Sequence, residues 1–271
     1  MPELPEVETT VRGIKSIESS FIESIDVFNP NLRWPISKDI STFLNNQKIL
    51  NIHRRAKYIV IHCSDVYLVI HLGMTGKLVF AKCEDVLMKH DHFQIKLANN
   101  DQVIRYNDPR RFGSIHLVKG KLEDFKLLSS LGLEPLSEEF DGNYLFTKAQ
   151  KRNVPIKTFI MNHHIVVGVG NIYASEALFL SGIRPSISVT RVSRKKMEGL
   201  VKNIKYVLSI AIKKGGSTIS DFMNTKGEGG YFQIDHQVYN RAGKPCNKCG
   251  TSIKKIIIGQ RSSFFCSTCQ R

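Results

Sequence analysis

The sequence predicts an α+β fold in which a short helix and an N-terminal β-sandwich precede a helical region and a C-terminal hairpin. Short β-rich runs separated by polar turns fill residues 21–118, and several such runs favour two packed sheets. Beyond residue 150 the apolar residues recur at helical spacing instead. Four cysteines in the last 26 residues indicate a small third part.

The N-terminal part is expected to begin with a helix and to continue in β-hairpins. Over residues 5–18 the apolar side chains lie on one helical face, and they are Leu4, Val7, Val11 and Ile14. Two pairs of β-rich runs enclose short polar turns. The predicted hairpins join Tyr58–His62 to Val66–Leu72 and Phe93–Leu97 to Gln102–Tyr106.

The C-terminal half is expected to be mostly helical. Residues 1–132 form the first predicted domain, and 133–150 are predicted as a linker because Leu133–Glu139 is acidic and irregular. Apolar spacing, capping residues and stop signals predict helices over Pro155–His163, Asn171–Leu180 and Ser193–Lys214. We place the remaining domains at 151–235 and 236–271.

The charge of the chain indicates a polyanionic partner. The formal net charge is +15, from 39 Lys and Arg against 24 Asp and Glu, and neutralising phosphates releases counterions. DNA and RNA explain this excess equally well, whereas a membrane surface is less favoured without a dominant basic amphipathic helix. No run is apolar enough to span a bilayer and the start lacks a secretion signal, so we expect a cytoplasmic protein.

The four C-terminal cysteines have the spacing of a structural metal site. Cys246 and Cys249 form one C-x2-C pair, Cys266 and Cys269 form another, and sixteen residues separate the pairs. Four thiolates close a tetrahedral Zn²⁺ site and leave no open position, so one zinc ion per chain is expected to be structural. The alternative is four free or redox-active thiols, which this paired spacing disfavours.

Two further segments offer contacts to phosphate. The β-forming residues between the cysteine pairs predict a hairpin with Arg261 at its tip, although for Arg261 taken alone a solvated loop arginine is the favoured explanation. Gly168-Val169-Gly170-Asn171 opens a predicted helix, and free amides at a helix start attract phosphate. A glycine-permitted turn between packed helices accounts for this motif as well.

The first residues combine an amine with a carboxyl group. If Met1 is removed, Pro2 carries a free secondary amine beside Glu3, and such an amine forms an iminium with an aldehyde-like carbon. The alternative is structural, because proline often starts a helix and acidic residues in the first turn suit the helix dipole.

Three other motifs have local explanations that compete with function. Lys57 follows Arg55 on one face of an incoming strand, where basic residues are commonly solvated. His90 and His92 share a face if extended, but no third metal ligand is identifiable, so phosphate or structural hydrogen bonding is favoured. In Asp108–Gly113, Arg110 can hydrogen-bond an unpaired base while Phe112 wedges into the stack.

Seven motifs occur in a fixed order along the chain. They are Pro2–Glu6, Arg55–Tyr58, His71–Met74, Lys89–His92, Asp108–Gly113, Gly168–Tyr173 and the cysteine finger that ends in Gln270-Arg271. Their joint order resembles the bacterial formamidopyrimidine-DNA glycosylase (Fpg/MutM) family over nearly the whole chain. Leu4 stands where the related endonuclease VIII branch has glycine, which favours the branch acting on purine lesions.

The resemblance implies a monomeric enzyme of base excision repair that removes 8-oxoguanine and formamidopyrimidines from duplex DNA and then cuts the strand. It also implies that residues 1–132 are catalytic, that 151–235 form a helix-two-turn-helix DNA-binding domain and that 236–271 form a zinc finger. Pro2 is implied as the nucleophile at C1′, Glu3 as the acid/base, Lys57 as the group for β-elimination and Arg261 as the group for δ-elimination.

The resemblance assigns two further sets of residues to DNA. Contacts to the backbone around the lesion are implied for His90, Arg110, Lys151 or Arg152, and Asn171. Filling of the gap left by the extruded nucleotide is implied for Met74, Arg110 and Phe112. Filling that gap offsets part of the cost of extrusion, which gives a reason for a Met74 turn that local pattern alone assigns to packing.

Two positions depart from the family pattern, and two other functions compete. Ser220 stands where the family commonly has a basic residue, so the lesion preference stays open. His163-His164 replaces a more usual acidic or amide pair, with no effect assigned to it. The sequence does not indicate the base preferred opposite the lesion. The competing functions are a non-catalytic zinc-ribbon protein that binds DNA or RNA, and a glycosylase specific for oxidised pyrimidines.

Overall fold

The computed structural model describes residues 2–216 and 236–271 of the chain. Among these residues, one compact unit contains 2–129 and 215–216, and the other contains 130–214 and 236–271. The two are called the first and the second unit below. Ser220, where the sequence departs from the family pattern, lies outside the described residues.

The first unit consists of two antiparallel four-stranded sheets and three short helices. The helices are α1 (Leu4–Ile14), α2 (Ile40–Leu44) and α3 (Lys126–Ser129). The strands are β1 (Ile22–Val27), β2 (Ile49–Arg55), β3 (Tyr58–Cys63), β4 (Val66–His71), β5 (Lys77–Lys82), β6 (Asp91–Leu97), β7 (Gln102–Asn107) and β8 (Ser114–Lys119). One sheet has the order β1-β6-β7-β5 and the other β2-β3-β4-β8.

The core of the first unit lies between the two sheets. Alternate residues of β3 and β4, such as Ile59 opposite Ile70, point into it together with Ile95 and Ile104 of the other sheet. The intervening Val60 belongs to a separate cluster on the other face of its sheet. Both faces of the middle of β3 are covered, and its residues Ile59–Ile61 are all apolar. The predicted β-sandwich and both predicted hairpins are confirmed.

The second unit is helical and ends in a two-stranded hairpin. Its elements are α4 (Gly142–Ala149), α5 (Ile156–Ile160), α6 (Asn171–Leu180), α7 (Arg194–Lys213), β9 (Lys254–Ile258) and β10 (Arg261–Phe265). The segment 133–150, predicted as a linker, includes α4, which packs on α7. Gly142 allows this approach because a Cβ there would lie 2.8 Å from the Glu198 Cα.

Two helices are shorter than the sequence predicts. The predicted helix 5–18 is α1 followed by a 3₁₀ turn at Lys15–Ile17, and Gly13 and Ser16 weaken helix propensity there. The predicted helix Pro155–His163 ends at Ile160, because the Asn162 side chain accepts a hydrogen bond from the His164 amide at 3.0 Å and so forms a competing turn. The bounds of α6 agree with the prediction, and those of α7 agree to within one residue.

Candidate functional site

The start of the chain is buried and held by its own carboxylates. Glu3 is the N-cap of α1 and is 2% exposed. Its backbone amide donates to the Glu6 carboxylate at 2.8 Å, as in a capping box. Gly216 has φ +90° and lies against Glu6, where a Cβ would be 3.3 Å from the Glu6 Cγ. These contacts fix the backbone on which Pro2 and Glu3 stand.

Lys57 lies half-buried in the tight turn between β2 and β3. Its neighbour Ala56 has φ +55°, a left-handed conformation that a non-glycine residue adopts only when its surroundings impose it. The charge of Lys57 reaches His71 at the end of β4. Burial, followed by the charges of Lys57 and Arg33, lowers the pKa of His71 to about 4.

His71 is therefore neutral near pH 7. Its Nδ1 accepts a hydrogen bond from the Gly73 amide at 3.0 Å, which places the single ring proton on Nε2. A neutral imidazole with a defined donor thus stands between the Lys57 turn and the turn that carries Met74.

Two neighbouring turns present Met74, Arg110 and Phe112 on one surface. Buried Asp108 organises both turns, because its carboxylate accepts from the Thr75 hydroxyl at 2.6 Å and from the Gly113 amide at 2.9 Å. The turns touch at Gly73, where a Cβ would lie 2.4 Å from the Gly113 nitrogen. All three presented side chains are exposed, and the Arg110 guanidinium lies 4.6 Å from the Phe112 ring centroid.

His90 lies beside the same turns. Its carbonyl accepts from the Asp108 amide at 3.1 Å, and its φ of +77° places it just before β6 rather than in extended backbone. His92 instead is buried and its Nε2 bonds the Asp108 carbonyl at 2.9 Å. His90 and His92 therefore do not lie on one face of an extended strand. His92 is buried, and His90 is half-buried at the surface.

The loop before His90 is ordered by a buried arginine of β7. The Arg105 guanidinium donates to the carbonyls of Asp85 at 2.7 Å and of Val86 at 3.1 Å. Its charge is balanced by Asp91 at 3.8 Å. The position of His90 thus depends on the buried Arg105 guanidinium, which holds the loop before it.

In the second unit, a buried lysine joins the proposed phosphate-binding residues. Lys157 of α5 is 1% exposed. Its Nζ donates to the Asn171 side chain at 2.6 Å, to the Ser263 hydroxyl at 2.8 Å and to the Ser262 carbonyl at 3.2 Å. The start of α6, where Asn171 lies, is thereby fixed to β10, whose first residue is Arg261.

Arg152 and Arg261 border one cavity of about 390 Å³. Both side chains are exposed. The rest of the lining mixes apolar side chains such as Phe159 and Ile258 with polar ones such as Thr158 and Asn162. Arg261 follows a Gly259-Gln260 turn in which both residues have positive φ, so it stands at the tip of the hairpin as predicted. Two guanidinium groups lining one cavity suit an anionic ligand.

The four predicted cysteines form a compact cluster. Their Sγ atoms all lie within 4.8 Å of one another, with 3.5 Å between Cys249 and Cys266 and 3.9 Å between Cys246 and Cys269. A tetrahedral Zn²⁺ site with Zn–S bonds of about 2.3 Å requires Sγ separations of roughly 3.8 Å. The thiol set therefore fits zinc, and no other cluster of metal-ligating side chains occurs within residues 2–216 and 236–271.

The chain entering this cluster is held by α6. The buried carboxylate of Glu176 accepts from the amides of Gln237, Val238 and Tyr239 at 2.8 to 3.0 Å. Three amide donors satisfy a buried carboxylate well.

Among the described residues, no helix is long and apolar enough to cross a membrane.

Comparison with known protein families matches three consecutive parts of the chain. Residues 1–115 match the formamidopyrimidine-DNA glycosylase N-terminal domain, residues 131–223 match the H2TH domain of the same enzyme, and residues 243–271 match the zinc finger found in FPG and IleRS. The chain belongs to the formamidopyrimidine-DNA glycosylase family. It is a DNA-repair glycosylase with a structural zinc finger, which decides against a non-catalytic zinc-ribbon protein.

Individual relatives agree over their full length. Formamidopyrimidine-DNA glycosylases from Histophilus somni and Hahella chejuensis are 50% and 47% identical over 272 residues, covering all of both chains. A Lactococcus lactis Fpg in complex with N7-benzyl-Fapy-dG DNA is 33% identical with a TM-score of 0.91. MutM in complex with carbocyclic 8-oxo-G DNA is 33% identical with a TM-score of 0.90, and both structures cover the whole chain.

Sequence patterns missed the residues that hold the site together. Asp108 and His71 lie inside quoted motifs, but nothing in the motifs indicates that one organises two turns and that the other is neutral. Lys157, Glu176 and Arg105 belong to none of the motifs, and each resembles an ordinary surface charge until its partners are known. A lysine or glutamate on the apolar stripe of a predicted helix is the one pattern that could have drawn attention to the first two.

Proposed function

We propose that this member of the family is a bifunctional glycosylase and abasic-site lyase that excises oxidised purines, 8-oxoguanine and formamidopyrimidines, from duplex DNA. The observation that carries the proposal is the fixed and buried start of the chain, in which Pro2 directly precedes the N-cap Glu3. The structural neighbours bound to Fapy-dG and to carbocyclic 8-oxo-G DNA support a purine lesion as the substrate.

Excision begins at the amine that removal of Met1 leaves on Pro2. The nitrogen lone pair attacks C1′ of the damaged nucleotide, and the base leaves with the electron pair of its bond to C1′ and takes up a proton. The attacking nitrogen then loses its own proton and its electron pair expels O4′, which opens the sugar and gives an iminium between Pro2 and C1′. Glu3 is the proposed acid/base that delivers and accepts these protons.

Strand cutting follows from the iminium. Loss of a proton from C2′ gives an enamine, whose electrons expel the 3′-phosphate together with the C3′–O electron pair. Lys57 is the proposed group for this β-elimination. Loss of the C4′ proton then expels the 5′-phosphate in a δ-elimination, for which Arg261 is proposed to hold the phosphate.

The remaining predicted residues are proposed to hold and distort the DNA. Met74, Arg110 and Phe112 lie on adjoining exposed turns, which suits insertion into the gap left by an extruded nucleotide. His90, Arg152 and Asn171 are proposed to contact phosphates. We also propose a cytoplasmic monomer and the domain boundaries at residues 132, 150 and 235.

The test is borohydride trapping on duplex DNA that carries 8-oxoguanine opposite cytosine. We expect a covalent adduct and a cut strand with the unaltered protein, and loss of both in Pro2→Gly and Glu3→Gln. Pro5→Ala is the matched control, because it alters the same helix start without touching the terminal amine. Binding without adduct or cutting overturns the proposal, and activity confined to oxidised pyrimidines indicates the other branch of lesions.

A further inference from the structure

The turn that carries Lys57 is tied to the helix that carries the N-terminus by one buried side chain. Arg54, the penultimate residue of β2, has a side chain only 9% exposed. Its Nε donates to the Glu8 carboxylate of α1 at 3.1 Å, and its Nη1 donates to the Ala56 carbonyl at 2.9 Å. One planar guanidinium therefore holds both elements.

The Ala56 carbonyl belongs to the peptide group that leads into Lys57. Because Ala56 is held at φ +55°, the turn adopts a left-handed conformation that is strained for a non-glycine residue. The hydrogen bond from Arg54 is one of the contacts that impose it. The Lys57 backbone is thus positioned by the Arg54 side chain as well as by the two-residue turn itself.

The other end of the tie lies on the helix of the proposed nucleophile. Glu8 is five residues after Glu3 in the same helix, α1, which packs on β2 and β3. Its second carboxylate oxygen pairs with Arg12 at 3.0 Å, but that side chain is 60% exposed. Exposed pairs contribute little, so the buried Arg54 is the partner that fixes the carboxylate.

We propose that Arg54 is a positioning residue of the lyase step, which sets Lys57 relative to Pro2 through Glu8 and the Ala56 carbonyl. This inference rests on the proposed function, because it concerns the rates of two proposed steps, iminium formation and β-elimination. Formation of the iminium requires Pro2 and Glu3, whereas β-elimination also requires Lys57 in place. Since small displacements of a reacting group slow its step strongly, loosening Arg54 slows elimination more than iminium formation.

The experiment uses a duplex with a preformed abasic site under single-turnover conditions. It compares the yield of borohydride-trapped adduct with the rate of strand cutting in the full-length protein and in Arg54→Lys. Lysine keeps the charge but cannot present two donors in a planar fork. Arg12→Ala is the matched control, because it removes the exposed partner of the same Glu8.

For Arg54→Lys we expect cutting to slow by about 10-fold or more, an adduct yield close to that of the unaltered protein, and a raised ratio of adduct to cut strand. Glu8→Gln is expected to shift the ratio in the same direction, and Arg12→Ala is expected not to shift it. An unchanged ratio in folded Arg54→Lys, or an equal shift in Arg12→Ala, overturns the inference. Failure of the unaltered protein to give any adduct would count against the proposed function instead.

Discussion

Replacing Lys157 with methionine tests how the second unit holds Asn171 beside Arg261. Methionine matches the length of the lysine stem but donates no hydrogen bond. The Ser262 carbonyl keeps a donor, because the Asn171 side-chain amide reaches it at 3.1 Å. The Asn171 Oδ1 and the Ser263 Oγ lose the donor that Lys157 gives each of them.

The size of the effect follows from those two lost bonds. A buried acceptor left without its donor costs about 1–3 kcal/mol, which applies in full to the buried Ser263 hydroxyl and in part to the half-buried Asn171. Relief of the buried ammonium from desolvation offsets part of the sum. We therefore expect the free energy of unfolding of the protein to fall by about 3 kcal/mol. At roughly 2–4 °C for each kcal/mol in proteins of about this size, the melting temperature should fall by roughly 6–12 °C.

Thermal unfolding and amide hydrogen exchange measure this outcome. Faster exchange is expected at residues 261–265 and at the start of α6, while β3 and β4 of the first unit keep their protection. Lys205→Met is the control, because Lys205 is half-buried in the same unit and donates a single bond to the Ser137 carbonyl at 2.6 Å. A Lys157→Met protein as stable as this control would refute the reasoning.

Three further predictions concern other contacts of the site. The pKa of His71 is about 4 when folded against 6.5 when unfolded, so lowering the pH from 7 to 5 should cost about 2 kcal/mol of stability, and urea unfolding of His71→Gln should lack that loss. In Asp108→Asn an NH2 group replaces one carboxylate oxygen and faces the hydroxyl of Thr75 or Tyr106 or the amide of Gly113, which are themselves donors. The two turns are then held less firmly, so the urea midpoint and the affinity for lesion DNA should both fall. Chelation should release one zinc per chain, measured by atomic absorption, and abolish the exchange protection of residues 246–269.

The fold was predictable from the sequence because its main elements have local signals. Both hairpins consist of β-rich runs around polar turns, and α7 has an uninterrupted apolar stripe between a serine cap and two glycines. The errors occur where a side chain decides an end, as Asn162 does for α5. The sequence does not predict the short helix α4, because the acidic and irregular residues 133–139 just before it favour a linker. Its packing on α7 stabilises it in the structure.

The candidate site was predictable only where its residues are close in sequence. The cysteine pairs and the Asp108–Gly113 motif are recognisable locally. In the structure the four cysteines form one cluster, and the Asp108 carboxylate bonds the Gly113 amide within its own turn. Lys157 bonds residues more than 100 positions away, and Arg54 bonds Glu8 across 46 positions. No periodicity or spacing along one chain encodes such partners, so the residues that position the site emerge only from tertiary structure.

Four largely buried charges share one arrangement: each lies in or next to a regular element and holds a loop or helix end that carries a predicted functional residue. Arg54 holds the Lys57 turn, Arg105 the loop before His90, Asp108 the turns of Met74 and Arg110, and Lys157 the start of α6. An apolar side chain of equal volume could pack those places as well, since burying a charge carries a large desolvation cost. What a guanidinium or carboxylate adds is direction, because it bonds chosen backbone atoms at fixed angles. We therefore interpret these charges as fixing the geometry of the loops, with their effect on stability felt mainly when one partner alone is removed.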